Sequence, residues 1–145
     1  MNKKDEEIFT AWVGLIRTSQ SLTSIVEENL KKSKLPPLSW YDVLLEINRE
    51  NEKRLRLQDI GQRILLAKNN VTRLIDRLEK ESLVSRKKCG NDGRGVYAYI
   101  SPKGENLLAI MWPVYRDSIR EIFSSKLSST EIEALISIQK KLSAS

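Results

Sequence analysis

The sequence predicts a mainly α-helical fold carrying a small two- or three-stranded β wing. Three observations predict it. Only six Gly and four Pro occur in 145 residues, which favours helices over a loop-rich chain. Apolar residues recur at three- and four-residue spacings through most of the sequence, the period of an amphipathic helix. Between residues 83 and 100 that period gives way to two short runs around Gly90-Asn91-Asp92-Gly93-Arg94-Gly95, a composition suited to a hairpin turn.

Each element has its own warrant. From Asp5 to about Leu30, the residues Ile8, Trp12, Leu15, Ile16, Leu22, Ile25 and Val26 fall on one broad face of a long helix. Leu35-Pro36-Pro37-Leu38 breaks it. Ser39 and Asp42 have the spacing of a capping pair, so a second helix is expected from Ser39, burying Val43, Leu44 and Ile47. Polar Asn48 to Arg54 reads as a turn, and Leu55-Arg56-Leu57 as a very short strand. A third helix follows with Ile60, Ile64 and Leu65 inward. The fourth runs from about Lys68 to Glu81. Its Val71, Leu74, Ile75 and Leu78 lie in one arc, while Asn69, Arg73, Asp76, Arg77 and Lys80 lie in the opposite one. Leu83 to Lys88 and Val96 to Ile100 are the two strands of the hairpin. Ser101-Pro102 opens a long helix to about Lys126, with a kink expected at Pro113. Ser128 and Glu131 form a capping box for the last helix.

Several function classes are excluded. A lone Cys89 cannot form an intrachain disulfide, and with no His in the chain a Cys/His zinc site is ruled out. No metal and no cofactor is expected. An enzyme reading lacks a His general base and any evident nucleophile–base pair. Cys89 follows Lys87 and Lys88, which would favour its thiolate; the plainer reading is a small residue tolerated in a strand. No apolar run nears the roughly 20 residues that span a bilayer, and the polar segment Met1 to Glu7 does not suit a secretion signal. A cytoplasmic location is the expectation.

The charge is unevenly placed. Residues 52–103 hold thirteen Lys or Arg against six Asp or Glu, an excess of seven positive charges, while the remainder holds twelve against thirteen. Such a segment attracts a polyanion by displacing its condensed counterions. Two adjacent short helices followed by a basic hairpin make a winged helix-turn-helix, whose second helix fits the major groove of duplex DNA. The residue chemistry agrees. Lys68 stands at the start of that helix. Asn69 and Asn70 offer a donor and an acceptor to one base edge, as adenine requires. Arg73 and Arg77 suit guanine or phosphates, and Thr72 a phosphate or a thymine methyl. Arg86, Lys87 and Lys88 precede the hairpin tip and Arg94 sits at it.

The run Asn70-Val71-Thr72-Arg73-Leu74-Ile75-Asp76-Arg77-Leu78-Glu79 resembles the recognition helix of the multiple antibiotic resistance regulators, the MarR family. Leu83-Val84-Ser85-Arg86 is similar to that family's first wing strand. Asp92-Gly93-Arg94 is similar to its D-x-R wing motif, and Ile100-Ser101-Pro102-Lys103-Gly104 to the segment that leaves the wing. The helical flanks fit as well, so the resemblance covers nearly the whole chain. It implies a homodimer with interlocked terminal helices that binds double-stranded DNA, as a repressor in many members. It also implies release by a small phenolic or lipophilic effector held between the dimerising and DNA-binding regions. By the same resemblance Arg94 enters the minor groove, and Asp92 holds the wing by pairing with a nearby Arg. The chain departs from the pattern at Ala67 and Arg56, where Ser or Thr often caps a helix; such a loss costs about 1 kcal/mol.

The expected organisation is therefore a dimerising helix at 1–34, a winged helix-turn-helix at 35–102, and dimerising helices at 103–145. Trp12, Trp40 and Tyr41 are the aromatic candidates for an effector pocket, against the competing reading of core or dimer interface. The alternative function is a winged-helix protein-interaction module that never engages DNA, since fold does not dictate function. A nonspecific architectural DNA binder is a third reading, marked by a salt slope without sequence preference.

Overall fold

A computed structural model describes residues 1–64, 70–88 and 95–144. Helix α1 (Lys3–Lys32) is capped by Asn2, whose side chain accepts the Asp5 N–H at 2.9 Å. Its far end closes when Lys34 takes a left-handed conformation (φ 59°) and the Leu35 N–H returns to the Leu30 carbonyl. Helix α2 (Leu38–Asn48) does not use the expected Ser39–Asp42 cap. Pro37 is the N-cap, and the Leu38 N–H donates to Glu27 Oε1 of α1 at 2.6 Å. A partner eleven residues upstream has replaced the local one, and Asp42 is buried instead.

Strand β1 (Arg54–Arg56) leads into α3 (Leu57–Arg63), and α4 spans Val71–Lys80. Strands β2 (Val84–Lys88) and β3 (Val96–Ile100) form the hairpin, and the sheet order is β1-β3-β2, antiparallel throughout. Leu55, Ala98 and Arg86 stand side by side across the three strands, and so do Arg56, Tyr97 and Lys87. Because side chains alternate along a strand, these two rows face opposite ways. Leu55 and Ala98 are buried, so the first row faces the helices.

Helix α5 (Pro102–Lys126) is capped by Ser101, whose Oγ accepts the Gly104 N–H at 3.0 Å, and runs continuously through Pro113. Helix α6 (Ser129–Ser143) carries the expected capping box, with Ser128 and Glu131 each accepting the other's N–H. Among the described residues no helix is long and apolar enough to cross a membrane.

The core gathers Val43, Leu44 and Ile47 of α2 with Ile60, Ile64, Ile75, Leu78 and Met111, all at most 1% exposed. Burial of this kind contributes roughly 1.5–3 kcal/mol per large side chain. It holds α2, α3, α4 and the sheet as one unit. The outer parts of the molecule differ. Of the apolar face predicted for α1, Val26 is buried, whereas Ile8, Trp12, Leu15, Ile16 and Ile25 are 40–59% exposed. Helix α6 has no buried residue.

Candidate nucleic-acid interface

The interface is built on α4. Leu74, Ile75 and Leu78 are buried on its inner side, so the 100° step of the helix turns Thr72, Arg73, Asp76, Arg77 and Lys80 to solvent. Asn70 precedes the helix in a left-handed conformation (φ 65°, ψ 36°), which Asn tolerates better than most residues, and its side chain makes no cap bond. Exposed Asn70, Thr72, Arg73 and Arg77 are thus brought to one side of one helix. Lys68, Asn69, Asp92 and Arg94 lie outside the described residues, as does Cys89.

Beside α4 runs β2, and its three basic residues part company. Lys87 and Lys88 are exposed. Lys87 belongs to the outer row of the sheet, with its ammonium 5.2 Å from the Tyr99 ring. Arg86 points the other way. Its guanidinium lies 2.7 Å from Asp76 Oδ1 and 2.9 Å from Glu79 Oε1, and its peptide N–H donates to Glu79 Oε2 at 3.0 Å. Arg86, expected among the DNA ligands, is engaged with two carboxylates of α4, and its side chain is 29% exposed. These contacts hold the Glu79 carboxyl below its usual range, through the side-chain and then the peptide hydrogen bond from Arg86. The same partners raise Arg86, with the Glu79 hydrogen bond the largest cause.

The outer face of the sheet carries a further cluster of cations and aromatic rings. Arg54 stacks 4.5 Å from the Tyr97 ring centre, and Arg56 donates from Nε to the Tyr97 hydroxyl at 3.0 Å. Arg54 also reaches the Tyr99 hydroxyl at 3.2 Å and pairs with Glu52. The signal was present as period-two alternation, Arg54-Leu55-Arg56 against Tyr97-Ala98-Tyr99, but it has meaning only once β1 is paired with β3.

The three aromatic effector candidates do not converge. Trp12 is 59% exposed on α1. Trp40 lines an open cleft of about 270 Å³ with Pro36, Leu83, Leu107, Ile110 and Lys103, and Lys103 Nζ donates there to the Glu81 carbonyl at 2.8 Å. Tyr41 turns to a different cleft of about 180 Å³, beside Asp42 and Tyr115. Its ring meets Tyr115 edge-on at 5.1 Å and Trp112 at 6.4 Å. Burial raises the hydroxyl pKa of both tyrosines above the ordinary value, and each has a smaller contribution from its neighbour, Tyr115 or Asp42. Trp112 and Tyr115, three residues apart on α5, were not singled out from the sequence.

A helix with one buried and one cationic side, set against a basic hairpin on a compact three-helix base, defines a winged helix-turn-helix transcription regulator. The MarR family profile matches residues 33–95. The chain is 33% identical over 126 residues to the uncharacterized HTH-type transcriptional regulator YkoM of Bacillus subtilis strain 168, covering 85% of this chain and 79% of that one. It is 30% identical over 142 residues to the HTH-type transcriptional regulator MhqR of the same organism, covering 98% and 93%. The chain belongs to the MarR family. Its fold is shared with Sco3205, a MarR family regulator of Streptomyces coelicolor solved in complex with DNA (TM-score 0.83, 21% identity, 98% of this chain and 88% of that one). It is also shared with the organohalide-sensing regulator RdhR-CbdbA1625 in its 2,4-dichlorophenol-bound form (TM-score 0.80, 17% identity, 98% and 83%).

Proposed function

We propose that this chain is a cytoplasmic repressor that binds a pseudo-palindromic DNA site as a homodimer. The observation that carries the reading is the division of α4. Its apolar side is used up in the core, and Asn70, Thr72, Arg73 and Arg77 are left facing solvent. In the major groove those side chains reach base edges and phosphates. Lys68 and Asn69, which precede the helix in sequence, belong to the same proposed set of DNA contacts. Lys87, Lys88 and Arg94 supply the wing, with Arg94 in the minor groove and Asp92 bracing the loop. No catalytic step is assigned to the chain.

Residues 1–34 and 103–145 are the dimerising parts. A monomer would leave Ile8, Phe9, Trp12 and Ile16 of α1 and Ile136, Ile138 and Leu142 of α6 in water, a cost that a second copy removes. DNA release by a small phenolic or lipophilic effector follows from the family. It is supported by the clefts at Trp40 and Tyr41, close to where α5 crosses the DNA-binding unit, and by the chlorophenol bound to the organohalide sensor.

The test is a fluorescence titration of a selected duplex. Replacing Arg73 or Arg77 with Ala is expected to weaken binding by ~1–3 kcal/mol where the residue reads a base. Replacing Arg94 with Ala is expected to weaken binding and flatten its salt dependence. Wild-type affinity in all three variants would overturn the docking.

A further inference from the structure

We propose that Arg86 is a positioning residue for DNA docking, which fixes the wing against the recognition helix and does not itself contact DNA. The inference rests on the DNA-binding reading given above and adds a division of labour among its cations. Lys87 and Lys88 remain exposed, and Arg86, from the same strand, serves inside the protein.

The register supplies the first reason. Arg86 stands beside Ala98 and Leu55 on the helix-facing side of the sheet, opposite to Lys87. Side-chain alternation along β2 therefore turns it to the helices. The second reason is the number of its contacts to α4. Nη2 reaches Asp76 Oδ1 at 2.7 Å and Glu79 Oε1 at 2.9 Å, Nε reaches Glu79 Oε1 at 3.3 Å, and the peptide N–H takes Glu79 Oε2 at 3.0 Å. Both oxygens of Glu79 are used, and by one residue. A planar fork can span two carboxylates three positions apart on a helix, whereas an ammonium is a single point of charge.

The third reason is electrostatic. Asp76 and Glu79 lie on the same helix as Arg73, Arg77 and Lys80, on the flank turned to β2 and beside the surface offered to a polyanion. Left alone, two carboxylates there would repel phosphate. Arg86 neutralises them from the protein side. A phosphate that took Nη2 would draw it off both Asp76 and Glu79. Arg86 thus sets the angle between α4 and the wing, and it masks the acidic residues that the helix carries.

The experiment titrates one selected duplex with wild type and the variants Arg86→Gln, Arg86→Lys, Glu79→Ala and Arg86→Gln/Glu79→Ala. Several salt concentrations are used, below each variant's melting midpoint as read by circular dichroism. Each single variant is expected to bind about ten-fold more weakly, and the double variant no worse than either single one, as for residues that act as a pair. The slope of log affinity against log salt is expected to stay at the wild-type value. Weaker binding by Glu79→Ala is the distinctive result, because removing a negative charge would by itself tighten DNA binding. The proposal is overturned if Arg86→Gln lowers the slope by about 0.9, the mark of one lost phosphate contact. It is overturned too if Arg86→Lys binds as wild type or if Glu79→Ala binds more tightly. A wild-type protein that enriched no duplex at all would remove the DNA reading and this inference with it. Wild-type binding with undiminished variants would remove this inference alone.

Discussion

Gly104 lies at the first turn of α5, pressed against Leu83, just before β2, and Ile100, the last residue of β3. A Cβ built there would stand 2.4 Å from the Leu83 carbonyl oxygen and 2.7 Å from Ile100 Cγ1. That oxygen is already held by the Ser101 peptide N–H and hydroxyl, each at 3.0 Å, so it cannot give way freely. Gly104→Ala is expected to destabilise the fold by ~1–3 kcal/mol, as overpacking does, measured by thermal melting. Titration also belongs to single residues. Glu79 is lowered by its bonds to Arg86, and Glu131 by its bonds to Ser128. A lowered carboxyl contributes stability above its unfolded pKa and loses it as pH falls through the folded value. The melting temperature is therefore expected to drop below about pH 4, and less steeply in Arg86→Gln, followed by circular dichroism. At this scale the sequence was readable where both partners are local. Ser101 and the Ser128–Glu131 box stand as expected. The Ser39–Asp42 pair failed because Glu27 of α1 takes the Leu38 N–H. The pairing of Arg86 with α4 depends on strand register, which no spacing along the chain reveals.

Elements were more legible than residues. Helix α4 was readable because its two sides are complete within ten residues, with an unbroken apolar stripe and an unbroken polar one. The hairpin was readable from the change of period and its Gly-rich centre. Strand β1 is only three residues long, and it exists because β3 pairs with it, so its Arg–Tyr stacking escaped notice. Helix α6 is the element most dependent on its own cap, since none of its residues is buried in the protomer. Ser128→Ala is expected to cost about 1 kcal/mol, and to appear as fraying of α6 in hydrogen exchange before the core loosens.

For the whole molecule, the apolar α1 and α6 surfaces and the cationic α4 and β2 surface make complementary demands. On the proposed reading a second copy covers the first and a polyanion meets the second. The sequence announced the apolar face of α1 without saying what covers it, because periodicity marks a side to be buried and not its partner. A Trp12→Lys/Ile16→Lys variant is expected to sediment as a monomer where wild type sediments as a dimer. It should also lose most of its affinity for a two-half-site duplex while keeping a folded core. Selection of bound duplexes from a random pool reads both demands together and is the most direct test. Two inverted half-sites are expected to be enriched, with centres about one helical turn, or a whole number of turns, apart. Enrichment of no sequence, or of a single unpaired half-site, would contradict this expectation.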